Sequence, residues 1–314
     1  MLGKNSLFGP VDPASEVGYV DPPPRKGFFT DTSVCIGCKA CEVACKEWNE
    51  VPDDGFNLLG MSYDNTGSLS ADTWRHVAFI EQRKPLGNQE PGLRSTVELG
   101  MPSMGPADTE DAAGDTSGTQ DFRWLMSSDV CKHCTHAACL DVCPTGSLFR
   151  TEFGTVVVQP DICNGCGYCV PACPYGVIER RQGERGTKNV GIAQKCTLCY
   201  DRLDAGQRPA CAQACPTESI QFGDVDELRE RANTRVEKLH AAGVMDARLY
   251  GNDPDDGVGG AGAFFLLLDE PEVYGLPPDP VVTTRDLPQM FNRATTAAVA
   301  LFVGAAISFL GRRR

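Results

Sequence analysis

The apolar residues of this chain fall mostly into short runs, and six runs have the length and composition of strands. They are WRHVAFIEQR (74–83), DFRWLM (121–126), GTVVVQPDIC (154–163), SIQFGD (219–224), DARLY (246–250) and AFFLLLDE (263–270). The first two predict a hairpin. The last two flank the glycine-rich segment 251–262, which lacks the lysine of a phosphate-binding loop and the glycine spacing of a dinucleotide site. We therefore interpret that segment as a turn.

A helical spacing of apolar residues begins where the strand at 219–224 ends. The positions that recur are Val225, Leu228, Ala232, Val236 and Leu239. Asp224 is the predicted N-cap, Glu227 occupies the capping-box position, and Gly243 is expected to end the helix. A second, short helix is predicted where CKACEVACKEWN follows the first cysteines of the chain.

The end of the chain carries an apolar segment of a different kind. ATTAAVALFVGAAISFLG (294–311) has 18 residues without a charge, and three arginines follow it. About 20 apolar residues span a bilayer, so the segment is just long enough for a transmembrane helix. Its many small residues suit packing against other membrane helices. The terminal arginines favour an inner C-terminus and an outer position for the rest of the protein. A buried or interfacial helix is the alternative.

Two segments have little apolar content. Residues 1–26 are rich in proline and glycine, which predicts an arm and not a signal peptide, so that export would depend on a partner carrying the signal. Residues 86–120 are rich in glycine, proline, serine, threonine and acids, and they predict a long surface loop, with a partner-docking element as the alternative. The net charge of −13 disfavours nucleic acid as a partner.

Sixteen cysteines form four groups of four, with none left over. The groups are Cys35, Cys38, Cys41, Cys45; Cys131, Cys134, Cys139, Cys143; Cys163, Cys166, Cys169, Cys173; and Cys196, Cys199, Cys211, Cys215. Proline follows the last cysteine of the second, third and fourth groups. Three closely spaced cysteines and a fourth before proline form the bacterial-ferredoxin signature of a [4Fe–4S] cluster. The sequence therefore predicts four [4Fe–4S] clusters.

The fourth cysteine of such a motif ligates the neighbouring cluster in two-cluster ferredoxins, so the motifs are expected to exchange it in pairs. The second and third groups are near neighbours in the chain, which leaves the first and fourth to pair. The predicted ligand sets are Cys35, Cys38, Cys41, Cys215 (cluster 1); Cys196, Cys199, Cys211, Cys45 (cluster 2); Cys131, Cys134, Cys139, Cys173 (cluster 3); and Cys163, Cys166, Cys169, Cys143 (cluster 4).

Other uses of cysteine fit less well. A disulfide framework belongs to short secreted chains without a core, whereas this chain has 314 residues and 41% hydrophobic composition. Haem attachment needs a histidine after C-x2-C, where Thr135 and Tyr200 stand. Structural zinc uses pairs of cysteines and not triplets ending in Cys-Pro. A zinc-binding cysteine-rich scaffold is kept as the alternative of another class.

Three stretches resemble one family closely. They are TSVCIGCKACEVACKEWN with the SYDN and LSADTW segments after it, KCTLCYDRLDAGQRPACAQACPTESIQFG, and LYGNDPDDGVGG with EPEVYGLPPDP. These segments are similar to the iron–sulfur beta subunit of respiratory formate dehydrogenase, over roughly residues 27–311 apart from 86–120. The cysteine pattern alone is shared with other molybdenum and tungsten oxidoreductases.

The resemblance implies an electron-transfer subunit without an active site of its own, in anaerobic respiration at the cytoplasmic (inner) membrane. A molybdenum or tungsten bis-pterin catalytic subunit would oxidise formate, and a membrane subunit, of the cytochrome b or a haem-free type, would reduce quinone. Cluster 1 would face the catalytic subunit and cluster 4 the membrane subunit, with clusters 2 and 3 between them. The same subunit of another molybdenum or tungsten oxidoreductase, or of a hydrogenase, is the alternative.

The fold implied is α+β, with two ferredoxin-like lobes of two clusters each in a pseudo-twofold arrangement. The predicted divisions are an arm (1–26), a first lobe (27–85 and 176–223), the loop insertion (86–120), a second lobe (121–175), an α/β extension (224–286) and a membrane anchor (287–314). We interpret Trp48, Trp74, His133 and His136 as packing residues around the clusters. Lys132 and Lys195 adjoin cluster cysteines, and they either tune the reduction potential or are ordinary solvated lysines.

Overall fold

A computed structural model of the protein describes residues 18–55, 63–64, 66–82, 123–183 and 187–311. Most of the predicted arm, the whole predicted insertion and the three terminal arginines lie outside these ranges. The strands are β1 (Lys26–Asp31), β2 (Arg75–Gln82), β3 (Arg123–Val130), β4 (Leu148–Arg150), β5 (Val156–Val158), β6 (Glu179–Arg180), β7 (Ala193–Gln194), β8 (Ile220–Asp224), β9 (Arg248–Tyr250) and β10 (Ala263–Leu267). The helices are α1 (Ala40–Trp48), α2 (Ala138–Asp141), α3 (Cys169–Ala172), α4 (Tyr200–Asp204), α5 (Ala210–Gln213), α6 (Val225–Ala241) and α7 (Leu287–Gly311).

A four-stranded mixed sheet in the order β8-β1-β10-β9 holds the centre of the fold. Strand β1 is antiparallel to β8 and parallel to β10, with Phe29 opposite Phe264. The two rings stack with their centroids 5.4 Å apart. All five residues of β10 are buried, as are those of β1 after Lys26, so both strands are continuous buried runs without alternation. Such runs are expected where both faces of a strand are covered.

The predicted hairpin is present and longer than expected. Strands β2 and β3 pair in antiparallel register from Arg75 opposite Val130 to Gln82 opposite Arg123. The second strand therefore runs four residues beyond the predicted end at Met126 and leads directly into the second cysteine group. Two further antiparallel pairs, β4 with β5 and β6 with β7, lie on either side of the third cysteine group.

The long predicted helix forms α6, and it packs on β1, β8 and β9. Its buried face is made by Val225, Leu228 and Ala232, three of the five residues that predicted it. Asp224 is the N-cap residue, as predicted, but its side chain makes no hydrogen bond to the first turn. Asp224 instead forms an ion pair with Lys26 on the neighbouring strand. The helix ends near Gly243, which has φ +87°.

The C-terminal helix α7 is long and packs against almost nothing in the described structure. Residues Gln289–Leu310 are apolar enough to cross a membrane, with a mean hydropathy of 1.7, and none of that stretch is buried in the fold. Phe302 and Phe309 are each about three-quarters exposed. A helix of this composition that no part of the described protein covers is a candidate membrane span, by length and composition.

Candidate metal centres

The first site combines both ends of the cysteine series. Cys35 and Cys38 lie on the loop that enters α1, and Cys41 lies in the first turn of that helix. Cys215 comes from the distant fourth group. The four surround a cavity that holds about 300 Å³ of space free of protein atoms, part of it open to solvent. Gly37, with φ +64°, keeps the loop tight, because a Cβ at this position would lie 2.6 Å from the Phe79 ring.

The second group of thiols includes Cys45, one turn further along α1 than Cys41. The Asn49 side-chain nitrogen is 3.7 Å from Cys45 Sγ and 3.8 Å from Cys199 Sγ, so a cysteine of the first motif stands beside one of the fourth. The thiols whose charges act most on Cys45 are Cys196, Cys211 and Cys199. Helix α1 contacts α5, which carries Cys211. All four of these cysteines are buried.

The third site lies in the second half of the fold. Cys131, Cys134 and Cys139 surround, with Cys173 of the third motif, a cavity holding about 370 Å³ of space free of protein atoms. Lys132, His133, Tyr175 and Lys195 are also part of its wall. Here too the cavity is bounded by three cysteines of one motif and one cysteine of another. Helix α2 contacts α3, as α1 contacts α5.

The fourth group of thiols reaches the surface. Burial raises the pKa of Cys169 to about 11, and the neighbouring thiols of Cys163, Cys166 and Cys143 add to that rise. Cys143 belongs to the second motif. Cys143 Sγ lies 3.2 Å from Ser147 Oγ. Burial acts to raise the pKa of Cys143, but hydrogen bonds from Ser147, the Leu148 amide and Thr145 outweigh it and lower the pKa to about 6.

Neighbouring groups approach one another in a single order. Among the charges that shift each thiol, Cys211 of the second group acts on Cys41 of the first, and Cys131 of the third acts on Cys196 of the second. Cys169 of the fourth group acts on Cys139 of the third. Of the sixteen cysteines, only Cys38 in the first group and Cys166 in the fourth are exposed. The sites thus form a row whose two ends reach the surface.

Burial makes most of these thiols expensive to ionise. Removal from water raises the pKa of Cys41 to about 11 and that of Cys196 and Cys139 to about 12. Neighbouring thiols oppose ionisation further in all three cases. Bringing four such groups around one cavity is favourable only with a bound cation or a positively charged cluster core that neutralises the thiolates.

Buried cations line the row of sites. Lys132 and Lys195 are 1% and 2% exposed, so the alternative that they are solvated lysines is wrong. Lys132 forms an ion pair with Asp129, and its Nζ lies 5.0 Å from the centre of the Phe265 ring. Lys195 Nζ donates to the carbonyls of Val156 and Cys196. Neither residue's burial can be read from sequence, because it depends on strands that pack over the motifs.

Arg75 is a buried cation that the sequence analysis missed. It opens β2 and is 1% exposed. Burial acts to lower its pKa, but the thiolates of Cys211, Cys41, Cys196 and Cys45 more than offset that effect and raise the pKa. In the sequence, Arg75 follows Trp74 in a strand of mixed polarity, and nothing there indicates which face of the strand meets the cysteines.

The glycine-rich segment 251–262 is the predicted turn, and it also covers the second motif. Thr135 N donates to Gly260 O, and His136 N donates to Val258 O, at 3.0 and 2.8 Å. Gly259 has φ +74°, and a Cβ on it would lie 2.4 Å from the His136 ring. The backbone of this segment therefore fits closely against the loop between Cys134 and Cys139. Sequence reasoning assigned it no role at the site.

The four predicted packing residues occupy different environments. His133 is buried and accepts a hydrogen bond at Nδ1 from Val156 N, 3.1 Å away, and His136 is only partly buried. Trp74 donates to Ala71 O, at 2.9 Å. Trp48 is 45% exposed, and its ring centre lies 4.2 Å from the Arg202 guanidinium, which it covers at the surface near Cys199.

The donor set fits iron–sulfur clusters better than single ions. Among the described residues, no three His, Cys, Asp or Glu side chains converge closely enough to hold one metal ion. In the first and third sites, four thiols instead surround a cavity, as the corners of a cubane cluster require.

Comparisons with known proteins agree with this geometry. Models described as 4Fe-4S dicluster domains match residues 34–147 and 122–225. The protein is 35% identical over 285 residues to the iron–sulfur subunit of the nitrate-inducible formate dehydrogenase of Escherichia coli, covering 90% of this chain and 81% of the relative. It is 36% identical over 257 residues to the formate dehydrogenase iron–sulfur subunit of Haemophilus influenzae, covering 80% and 68%. It is 32% identical over 206 residues to the B subunit of the anaerobic dimethyl sulfoxide reductase of E. coli, covering 65% and 76%.

The fold and its cysteine sites define a ferredoxin-type protein with two dicluster domains and four [4Fe–4S] clusters. The chain belongs to the family of iron–sulfur electron-transfer subunits of formate dehydrogenases and the related dimethyl sulfoxide reductases.

Proposed function

We propose that this protein is the electron-transfer subunit of a membrane-associated formate dehydrogenase. It takes electrons from a molybdenum or tungsten bis-pterin catalytic subunit and passes them to a membrane subunit that reduces quinone. The observation that carries the proposal is the row of four cysteine sites with exposed cysteines only at its two ends. An enzyme needs one reaction centre, whereas a relay between two partners needs an entry, an exit and buried sites between them.

The four ligand sets of the proposal are the crossed ones. Cys35, Cys38, Cys41 and Cys215 hold cluster 1, and Cys45, Cys196, Cys199 and Cys211 hold cluster 2. Cys131, Cys134, Cys139 and Cys173 hold cluster 3, and Cys143, Cys163, Cys166 and Cys169 hold cluster 4. The shared cavities, the position of Asn49 between Cys45 and Cys199, and the charges around Cys169 support this assignment.

The division into two lobes follows from the crossing. Motifs 1 and 4 exchange cysteines in one lobe, and motifs 2 and 3 do so in the other. The contact of α1 with α5 in the first lobe corresponds to that of α2 with α3 in the second. We include in the proposal that the two lobes are related by a pseudo-twofold axis.

When bound, each cluster accepts and releases one electron. The protein's own residues hold the clusters apart from water, fix their order and set the electrostatic potential around them. The site with the exposed Cys38 lies toward the catalytic subunit, and the site with the exposed Cys166 lies toward the membrane subunit. The approach of Cys41 to Cys211, of Cys196 to Cys131 and of Cys139 to Cys169 supports this order.

The buried lysines have a place in this proposal. The charge of Lys195 opposes the rise in the pKa of Cys139 in the third site. Lys195 also precedes Cys196 of the second site in the sequence. Lys132 acts on Cys173. A fixed positive charge close to a cluster in a medium of low dielectric constant favours its reduced form. We include in the proposal that Lys195 raises the potentials of the middle clusters, and that Lys132, which is paired with Asp129, contributes less.

The membrane attachment rests on α7. Its exposed apolar surface supports an anchor in the cytoplasmic (inner) membrane, where its small residues would pack beside the helices of a partner. The outer position of the cluster-bearing part rests on the terminal arginines and belongs to the proposal as well.

Two measurements on the purified protein test the proposal. Metal analysis should find about 16 iron atoms per chain and no stoichiometric zinc, because four cubane clusters require that number. Reductive titration followed by electron paramagnetic resonance should then detect four one-electron clusters. Zinc in place of iron would establish the scaffold alternative.

The identity of the co-purifying large subunit separates the remaining alternatives. A pterin subunit that oxidises formate is expected. The 32% identity to a dimethyl sulfoxide reductase subunit supports another oxidoreductase of the same kind as the second candidate. A large subunit without formate activity, whether such a reductase or a hydrogenase, would contradict the first candidate and leave the electron-transfer role in place.

A further inference from the structure

The Arg75 guanidinium is buried without a counter-charge from any described carboxylate. Its Nη1 donates to Ser128 O at 3.3 Å and to Ser128 Oγ at 3.0 Å, while Nε and Nη2 have no hydrogen-bond partner in the described part of the chain. The guanidinium carbon lies 4.8 Å from the centre of the Phe28 ring. A buried cation with two unpaired donors is strongly unfavourable unless an anion stands beside it.

The anionic groups around Arg75 are cysteine thiolates from two different sites. Ser128 Oγ, which accepts from Arg75, lies 3.2 Å from Cys41 Sγ of the first site. The other thiols that act most on the guanidinium are Cys45, Cys196 and Cys211 of the second site. Arg75 therefore lies between the first two members of the row, in the electrostatic environment of both.

Two other buried arginines do not share this situation. Arg123, at the opposite end of the same hairpin, forms an ion pair with Asp269. Arg181 forms one with Asp72, at 2.7 Å. In both cases a carboxylate already neutralises the charge, so little field remains to act at a distance. The counter-charge of Arg75 is instead supplied by the cysteine thiolates and the clusters that they would bind.

We propose that Arg75 is a positioning residue that raises the reduction potentials of clusters 1 and 2 together. This inference rests on the proposed function, and it names a residue that sets the potentials of the two clusters nearest the catalytic subunit. Reduction adds one electron, and hence one negative charge, to a cluster. A cation close to both clusters stabilises that charge on either one. Because the cation shifts both potentials in the same direction, it favours entry of an electron into this pair of sites without opposing transfer between them.

The test is a potentiometric titration of the full-length holoprotein, followed by electron paramagnetic resonance. In Arg75→Gln, two of the four clusters should become harder to reduce. Their oxidised-to-reduced ratio at a fixed ambient potential should rise at least tenfold, which is about 59 mV for a one-electron couple. The other two clusters should keep their potentials. Arg75→Lys, which keeps the charge, should bring both potentials most of the way back to their wild-type values.

The matched control is Arg123→Gln, which removes a buried arginine from the other end of the same hairpin. It should leave all four potentials unchanged, because Arg123 lies opposite Gln82, seven residues along β2 from Arg75, and each residue of a strand adds about 3.4 Å. Unchanged potentials in Arg75→Gln with full iron content would overturn the inference and leave the proposed function intact. Absence of reducible clusters in the wild-type protein would instead overturn the proposed function.

A measurement on wild-type holoprotein covers the case in which Arg75→Gln fails to fold. Arginine labelled with ¹⁵N in the guanidinium group should give a hyperfine coupling in the pulsed resonance spectra of two reduced clusters. A spectrum without any arginine nitrogen coupling would contradict the placement of Arg75 between the two sites.

Discussion

Cys35 and Cys45 stand ten residues apart in one motif, yet they belong to different groups of thiols in the fold. Cys45 is close to Cys199 and to the buried thiols of the fourth motif. This exchange can be tested by counting iron in doubly substituted proteins. Substituting two ligands of one cluster removes no more iron than that cluster holds, whereas substituting ligands of two clusters removes both.

We expect Cys45→Ala combined with Cys196→Ala to lose about 4 of about 16 iron atoms, since both residues ligate cluster 2. Cys45→Ala combined with Cys35→Ala should lose about 8, because these residues ligate different clusters. Iron and acid-labile sulfide analysis of the purified proteins measures both. The reverse pattern would show that each motif closes on its own cluster.

The buried Lys195 gives a second prediction at this scale. Lys195→Met removes the charge beside the third site. The reduction potential of its cluster should therefore fall by about 50 mV, which is close to a tenfold change in the oxidised-to-reduced ratio. Lys188→Met is the control, because Lys188 is exposed and pairs with Glu50 at the surface. Equal potentials in the two variants, measured by redox titration, would contradict a tuning role for Lys195.

Single residues were predictable from sequence where their spacing alone carries the chemistry. All sixteen cysteines could be identified because the motif is local. The burial of Lys132 and Lys195 could not be, since it depends on packing against β5 and β10. Arg75 lay hidden for a similar reason. Only the register of β2 with β3 turns its side chain toward Ser128 and the thiols.

At the scale of elements, the glycine-rich segment 251–262 has the clearest consequence. Its backbone lies against the loop that carries Cys134 and Cys139, and Gly259 leaves no room for a Cβ next to His136. The segment therefore supports the third site from outside, although it contains no ligand.

We expect Gly259→Ala to destabilise the protein by about 2–4 kcal/mol, through the left-handed backbone and the overlap with His136. The third cluster should be lost first on heating. Gly275→Ala is the control, since its φ of +72° carries the same backbone cost, about 1–2 kcal/mol, while nothing described lies within 4 Å of the added Cβ. Thermal unfolding followed by visible absorbance of the clusters compares the two. Equal melting temperatures would show that the segment does not support the site.

Six of the ten described strands and helices α1, α6 and α7 were predictable, but apart from the hairpin the strand pairings were not. The hairpin, α6 and the strand at 219–224 follow from local periodicity. The parallel pairing of β1 with β10 joins segments more than 230 residues apart, and no local pattern specifies it. The N-cap position of Asp224 was predictable, but the missing cap hydrogen bond was not, because Asp224 pairs with Lys26 on a strand that sequence reasoning had not identified.

For the whole molecule, the proposal assigns membrane attachment to α7 and cluster binding to the rest of the chain. No cysteine follows Cys215, and the helix packs against almost nothing in the described structure. We expect a protein truncated after residue 286 to keep about 16 iron atoms and its activity with artificial acceptors. It should be released from membranes, and formate oxidation should no longer drive quinone reduction.

Fractionation of cells expressing the truncated protein, with iron analysis and a quinone-reduction assay, measures these outcomes. A helix of equal length in which Leu301, Phe302 and Phe309 are replaced by serine is a matched control for loss of apolar surface alone, and it should behave like the truncation. Full quinone reduction by either form would contradict the anchor.

The joining of Cys35 with Cys215 around one cavity also bears on how the protein is made. These residues are 180 positions apart, so Cys35 emerges from the ribosome long before Cys215 is synthesised. The cysteines of the third and fourth sites all lie between 131 and 173 and emerge together. Iron delivery can therefore begin in the middle of the chain during translation. The first and second sites must stay open until synthesis has passed Cys215, and in that interval their thiols depend on the cell for protection from oxygen.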